Sequence, residues 1–187
     1  MKKLLIGIIL LSGILLAYAD EAATPNSNGS GAYVNLNFGL ANQSYTPTGL
    51  FTTNANVGYN FNHALAVEAG YTNLAGSEFG ATQTNNIFDV AVKGTIPFNS
   101  VFSLYGRLGG GLNYFSWGGV ANVGTPGWYA NQRSSVNFVG LAGIGGSFAL
   151  SRHFDLRLED TMFIPMGGGN PTVGQSNLVL GGVQYNF

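Results

Sequence analysis

From Ala32 to Phe187, apolar and polar residues alternate with a period of two. The last segment shows the pattern most clearly. One of its faces carries Val179, Gly181, Val183, Tyr185 and Phe187, and the other carries Leu180, Gly182, Gln184 and Asn186. Such alternation predicts β-strands whose two faces meet different surroundings. After the first residues of the chain there is no long apolar run, so membrane-spanning helices are not expected.

The amino-acid composition indicates whether the apolar faces of these strands meet a protein core or lipid. Charged residues make up 8% of the chain, against about 25% in a typical soluble domain. Aromatic residues make up 13%, and there are 29 glycines. A chain with so little charge must either bury an unusually large core or expose its apolar residues to lipid one at a time. A membrane β-barrel does the second, because lipid-facing and lumen-facing residues alternate along each strand.

The first residues have the pattern of a secretory signal peptide. Two lysines, Lys2 and Lys3, precede an apolar run over residues 4–16, and Ala17-Tyr18-Ala19 forms a small-x-small cleavage site. The run is shorter than the ~20 residues that a spanning helix needs, which argues against a transmembrane anchor. We therefore expect a signal peptide over residues 1–19, a flexible periplasmic leader over 20–31 and a barrel over 32–187.

Charge and cysteine content exclude further classes. Without Lys2 and Lys3, five basic residues (7 − 2) stand against eight acidic ones, and the mature chain carries 5 − 8 = −3. This balance does not favour binding to nucleic acid. The chain has no cysteine, so we expect neither disulfide or thiol chemistry nor a lipid-anchored N-terminus.

Eight strands and their connections follow from the alternation and the turn residues. We predict strands at about 32–41, 52–61, 64–72, 87–96, 101–115, 136–150, 153–163 and 176–187. Tight turns fall at 62–63, 97–100 and 151–152, and long connections at 42–51, 73–86, 116–135 and 164–175. Short turns on one side and long loops on the other predict an all-β fold, an eight-stranded antiparallel up-and-down transmembrane β-barrel. The alternative, a soluble sandwich or lipocalin-like barrel, would need the apolar face inward.

In the sixth strand Val139 and Leu141 would point inward, and we expect a bulge there to break the phase of the strand.

Five of the few charged residues share a face and a height. Each lies about four to seven residues from a tight turn and points inward by parity: Glu68, Lys93, Arg107, Arg157 and Glu159. The interior of an eight-stranded barrel is just wide enough for side chains to fill it. Opposite charges there must pair, because an unpaired buried charge is costly. Asp160, by contrast, points to lipid by parity and is expected near the outer rim.

Several segments resemble a known family. The alternating end with Val183, Tyr185 and Phe187 resembles the C-terminal signal of bacterial outer-membrane barrels, which the barrel-insertion machinery binds. Residues 62–71 (NHALAVEAGY), 104–110 (LYGRLGG) and 156–159 (LRLE) resemble the OmpA-type transmembrane barrel. In that family an inward Glu and facing Lys and Arg form an ion-pair network that blocks or gates a narrow water path. Glu68, Lys93, Arg107 and Arg157 match those positions.

The chain departs from the family's pattern in two ways. The sixth-strand position that holds a second lumen Glu in the family is Ser147 here, so exchange of ion-pair partners is not implied. The peptidoglycan-binding domain that often follows such barrels is missing from this sequence, so no cell-wall tether is implied.

We expect a non-enzymatic barrel that supports envelope integrity and surface contact or adhesion. A narrow gated pore and a lipid A-modifying enzyme are the alternatives. The enzyme would need a serine activated by a nearby base, yet the only histidines, His63 and His153, sit at tight turns. The three glycine clusters do not precede a Lys-Ser/Thr pair, so they are not phosphate loops. No catalytic residue, metal site or cofactor is predicted.

The predicted partners are those of an envelope protein. We expect contacts with outer-membrane lipid and lipopolysaccharide, with the barrel-insertion machinery through the last strand, and with a host or surface ligand at the loops. Trp117, Trp128 and Tyr129 of the third long connection are the candidates for loop contact, because aromatic residues among Gly, Ser and Asn suit recognition. The expected location is the bacterial outer membrane, and the expected state is a monomer.

Overall fold

The computed structural model describes residues 30–44, 49–78, 81–120, 130–166 and 174–187. These residues form eight β-strands: β1 (Gly31–Gln43), β2 (Leu50–Asn60), β3 (Leu65–Glu78), β4 (Ala81–Pro97), β5 (Phe102–Val120), β6 (Ala130–Ala149), β7 (Phe154–Met166) and β8 (Ser176–Asn186). Nowhere in these ranges is there a helix of the length and apolar character that a bilayer crossing requires.

The eight strands form one closed barrel. Each strand pairs antiparallel with its neighbour in sequence, and β8 pairs with β1, from Tyr33 opposite Asn186 to Gln43 opposite Ser176. Closure leaves no unpaired sheet edge, which is the condition for a sheet to survive in hydrocarbon. The predicted fold class, an eight-stranded antiparallel up-and-down barrel, is confirmed.

The two faces of each strand differ as the alternation predicts. On β1 the outward residues Leu36, Phe38 and Leu40 are exposed, whereas the inward Asn35 and Asn37 are buried. The same contrast recurs on the other strands, so the outer wall is apolar and the lumen is largely polar. This arrangement is the inverse of a soluble barrel and excludes the lipocalin-like alternative.

All three tight turns are stabilised by the side chain of their first polar residue. The Asn62 side-chain oxygen accepts hydrogen bonds from the backbone N–H groups of Ala64 and Leu65 at 2.8 and 2.9 Å. Asn99 does the same for residues 101 and 102, and the Ser151 hydroxyl for residues 153 and 154. We call this end of the barrel the short-turn end. Asn and Ser favour such turns because their side chains replace a missing backbone acceptor.

The strands extend further toward the opposite, long-loop end than the sequence predicts. Most of the second long connection, predicted at 73–86, is in fact strand, because β3 and β4 pair as far as Glu78 opposite Ala81. β5 and β6 likewise pair as far as Val120 opposite Ala130. The backbone ladder continues there and inward residues such as Leu74 and Asn85 stay buried. Outward residues such as Asn86 are polar, however, so the alternation of apolar and polar side chains that marks a strand in sequence is lost.

The predicted bulge in β6 is wrong. β6 pairs without interruption with both β5 and β7, and Val139 and Leu141 point into the lumen, where they are buried. Apolar side chains are stable there because an eight-stranded lumen is a packed core, and other inward apolar residues surround them.

Asp160 does face outward, but its expected place at the outer rim is wrong. It lies midway along β7, between Phe154 and Met166, with exposed apolar residues on both sides along the strand.

Two glycines of β5 face inward at places of close backbone approach. A Cβ atom on Gly111 would overlap the Phe88 carbonyl oxygen and lie 2.9 Å from the Asp89 Cα. A Cβ atom on Gly109 would meet the backbone of β4 in the same way, at Val90 and Ala91. At these positions β5 is turned so that its inner face points at β4, and only glycine fits.

Candidate functional site

The structure brings together all five of the predicted inward charges. Glu68 comes from β3, Lys93 from β4, Arg107 from β5, and Arg157 and Glu159 from β7. Each residue is at most 5% exposed. We call this group, with Asp89, the charged layer. Its members converge because each lies at an inward position a similar distance from the short-turn end.

Glu68 is at the centre of the charged layer and meets three cations. Its Oε1 atom lies 3.3 Å from the Lys93 ammonium and 3.0 Å from Arg157 Nη1. Its Oε2 atom lies 2.6 Å from Arg107 Nε. The Tyr33 hydroxyl also donates a hydrogen bond to Oε1 at 2.6 Å. A carboxylate held by several donors is the arrangement that offsets the cost of burying the charge.

Glu159 is the second acceptor of the layer. It pairs with Arg107 Nη1 through Oε1 and with Arg157 Nη2 through Oε2, the latter at 2.9 Å. The hydroxyls of Tyr105 and Thr161 donate further hydrogen bonds to it. The two arginines therefore bridge two carboxylates. Ser147 of β6 forms no ion pair with these arginines. Its hydroxyl instead hydrogen-bonds that of Ser103 at 2.7 Å.

Sequence reasoning missed several members of the site. Asp89, which the sequence analysis did not assign to the network, is buried with Oδ1 3.5 Å from Arg107 Nη2. It balances the layer, because three carboxylates now face three cations. Tyr33, Tyr105 and Gln184 also contact the layer and also have inward parity. Parity was thus the signal that could have found them, but it does not tell which inward residues meet.

The two inward tyrosines also hold the cations through their rings. The Lys93 ammonium lies 4.1 Å from the centroid of Tyr33, and the Arg157 guanidinium lies 4.5 Å from that of Tyr105. Cations are attracted to the negative face of an aromatic ring. Each of these tyrosines therefore makes a ring contact with a cation and a hydroxyl contact with a carboxylate, which fixes the geometry of the layer.

A second layer fills the lumen toward the long-loop end. It consists of buried apolar side chains from seven of the strands: Ala41, Leu50, Leu74, Ile87, Ala91, Val139, Leu141, Phe163, Leu178 and Leu180. Beside it, the amides of Asn35, Asn37, Asn54 and Asn56 hydrogen-bond one another across β1 and β2. We call the apolar group the apolar layer. Polar and apolar side chains together occupy the middle of the lumen.

Between the charged layer and the short-turn end, the lumen widens into a cavity. This cavity, of about 230 Å³, is lined by both polar and apolar side chains and reaches Lys93, Tyr105 and Arg157. Water can therefore approach the charged layer from the short-turn end. The apolar layer lies on the other side of the charges.

The remaining predicted residues lie apart from the lumen. Val183 and Tyr185 are on the outer face of β8, and Phe187 directly follows the strand. The Tyr185 ring packs against those of Phe154 and Phe187, each at 5.1 Å between centroids. Trp117 belongs to strand β5 rather than to a loop. Trp128 and Tyr129 lie outside the described residues.

His63 and His153 are exposed at tight turns, and His153 stacks on Tyr185. Within the described ranges no cluster of His, Asp and Glu has the geometry to hold a metal ion.

A family model for the outer membrane protein beta-barrel domain matches residues 8–187. The chain belongs to this family. The protein is therefore a small OmpA-like barrel of the bacterial outer membrane. In this family the short-turn end is periplasmic and the long-loop end extracellular. A search of curated proteins finds no match.

Solved structures share the fold. The Neisserial surface protein A is 17% identical with a TM-score of 0.65, over 85% of this chain and 97% of that one. Ail, the attachment invasion locus protein of Yersinia pestis, crystallised with the heparin analogue sucrose octasulfate, is 15% identical with a TM-score of 0.57, over 84% and 97%. The outer membrane enzyme PagL is 16% identical with a TM-score of 0.52, over 81% and 97%.

Proposed function

We propose that this protein is a closed, non-enzymatic outer-membrane barrel that supports envelope integrity and contacts other surfaces through its extracellular loops. The observation that carries the proposal is the filling of the lumen by the charged layer and the apolar layer. A barrel whose interior is occupied acts through its outer wall and its ends.

The filled lumen argues against a permanently open pore. Glu68 and Glu159 are tied to the cations of the layer by ion pairs from three strands, and opening a path through them would separate buried charges. Beyond them, the middle of the lumen is occupied by the apolar layer and by asparagine amides that hydrogen-bond one another.

A gated pore is the second candidate, and one observation favours it. Arg107 faces Glu68 and Glu159 and also Asp89, whose nearest oxygen is 3.5 Å away. Because the contact with Asp89 is longer, the Arg107 guanidinium could exchange one of its glutamate partners for Asp89. The apolar layer would still have to move before a solute could pass.

Enzymatic activity has less support. A lipid A-modifying enzyme needs a nucleophile and a base at the outer leaflet, where lipid A lies. Both histidines lie at periplasmic turns instead. At 16% identity the likeness to PagL extends to the fold alone.

The proposed surface contact is made by residues at the extracellular end of the barrel. Ail, with the same fold, is named for attachment and was crystallised with a heparin analogue. For this chain, Trp117 near the extracellular end of β5 and Trp128 and Tyr129 of the third connection are the proposed contact residues. Lipopolysaccharide is the proposed neighbour at the rim. The charge of the mature chain, −3, argues against a polyanionic ligand like that of Ail.

A deletion strain tests these functions side by side. Loss of the gene is expected to increase sensitivity to detergent and to reduce adhesion, with lipid A mass unchanged. Purified protein in a planar bilayer is expected to give no conductance above the leak. Complementation with a Trp117→Ser/Trp128→Ser variant should restore detergent resistance but not adhesion. Discrete channel openings would favour the gated pore, and a shift in lipid A mass would favour the enzyme.

We also propose that residues 1–19 direct export and are cleaved, and that the insertion machinery binds the outer face of β8. Phe187 is 67% exposed, so its ring adds little to the packing of the finished barrel. Replacing Phe187 with Asp should therefore leave precursor in the periplasm, yet change the unfolding temperature of protein refolded in detergent only slightly. Phe98→Asp is a matched control, because Phe98 is 63% exposed at a periplasmic turn. Equal assembly of both variants, judged by heat-dependent gel migration, would contradict the proposal.

A further inference from the structure

The lipid-facing wall contains one carboxyl group in an apolar setting. Asp160 is exposed at the middle of β7, and its neighbours in register on β6 and β8 are Ile144 and Val179. These two residues are 64% and 62% exposed, and Leu158 on the same strand is 57% exposed. The side chain of Asp160 therefore points into the hydrocarbon layer, surrounded by apolar residues that face lipid.

Within the part of the chain that the structure describes, no side chain pairs with Asp160. The cations whose side chains are described either lie in the lumen, as Lys93, Arg107 and Arg157 do, or at a periplasmic turn, as Arg152 does. Lipid tails offer no hydrogen-bond donor. A polar group at this depth is costly unless a partner satisfies it, and for that reason an ionisable residue facing the membrane marks a functional surface.

We propose that Asp160 is the centre of an interface between two copies of this chain in the outer membrane. A carboxyl group in its acid form both donates and accepts a hydrogen bond, so it is complementary to a copy of itself. Two barrels inserted in the same orientation are related by a two-fold axis along the membrane normal. That axis brings each residue opposite its own counterpart at the same depth.

A different membrane protein would need a donor placed at this depth, whereas a second copy places its own carboxyl there by symmetry. The wall around Asp160 also permits close approach. Gly146 and Gly181 lie next to Leu158 in register, and Ala142 lies next to Met162. Small residues at an interface allow two membrane proteins to pack closely while polar groups hold them together. This inference is independent of the proposed function and replaces the expectation of a monomer.

The absence of cysteine gives a direct test, because a single introduced cysteine is the only one in the chain. Leu158→Cys should form a disulfide-linked dimer when intact outer membranes are oxidised. Val90→Cys is the matched control, since Val90 is 58% exposed on the outer face of β4, on the far side of the barrel. It should form little dimer.

The role of the carboxyl is tested in the Leu158→Cys background. Asp160→Leu should reduce the dimer fraction roughly three- to thirtyfold, as expected for the loss of a hydrogen-bonded pair in a membrane. Asp160→Asn should keep the dimer, because an amide also donates and accepts. The proposal is overturned if Leu158→Cys gives no dimer, if Val90→Cys dimerises equally, or if the product contains a different protein. Loss of the dimer in Asp160→Asn would also overturn it, since this indicates a cationic partner.

Discussion

Replacing Glu68 with alanine is expected to lower the free energy of unfolding by about 3–5 kcal/mol, the cost of breaking a buried ion pair by removing one partner. Glu68 is 1% exposed and contacts Lys93, Arg107 and Arg157. Without it, three cations face only Asp89 and Glu159 in a lumen that water reaches from one end. The unfolding temperature, measured by heat-dependent gel migration, should fall clearly.

A second substitution should relieve part of this loss. Glu68→Ala combined with Lys93→Met removes one of the uncompensated charges, so the double-mutant cycle should be non-additive. Asp155→Ala is the control for the loss of a carboxyl group outside the charged layer. Asp155 is only half-buried at the periplasmic mouth, so its replacement should lower the free energy of unfolding only slightly. If Glu68→Ala adds strictly to the neutralisation of each cation, the residues do not form one network. Conductance that rises while stability is unchanged would favour the gated pore.

Replacing Gly111 with valine is expected to prevent formation of the native barrel. Even a Cβ atom there would overlap the Phe88 carbonyl and lie 2.9 Å from the Asp89 Cα, so β4 and β5 would have to separate. Gly111 also lies opposite Asp89 in register, next to the charged layer. The measurement is the yield of the folded, fast-migrating form after refolding in detergent, which should fall to near zero.

Gly106→Val on the same strand is the matched control. A Cβ atom on Gly106 would lie 3.8 Å from its nearest neighbour, the Gly143 carbonyl oxygen, which is an ordinary contact distance. A side chain at this position would face lipid. A β-branched residue there should be tolerated. Equal refolding yields for the two variants would mean that the close approach of β4 and β5 does not limit the fold.

The sequence was sufficient to predict the strands inside the membrane, because each residue there meets either lipid or lumen and the period of two is preserved. It predicted β1, β2 and β8 closely, and it placed the three tight turns where Asn and Ser stabilise them. It cut β3 to β6 short at the extracellular end, where outward residues such as Asn86, Ser116 and Ser134 are polar as well. It also misjudged Val139 and Leu141, because the rule of a polar lumen does not hold where inward side chains form a core.

For the charged layer, the sequence predicted which residues point inward and how far each lies from the short-turn end. Glu68, Lys93, Arg107, Arg157 and Glu159 could be expected to meet, because each is inward at a similar distance from a tight turn. The participation of Asp89 and of the two tyrosines depends on the stagger between strands, which is a property of the closed barrel and not of any one segment. For the same reason the position of Asp160 within the apolar belt could not be judged from β7 alone.

The pairing of β1 with β8 has a consequence for the folding pathway. Tyr33 lies opposite Asn186, so the contact that closes the barrel joins the two ends of the folding sequence and forms only after all eight strands are present. Contacts between residues so distant in sequence are slow to form. Until then, two strand edges with free backbone groups remain open to pairing with other chains. The unclosed intermediate, rather than the finished barrel, is the species most prone to aggregation and most in need of a chaperone.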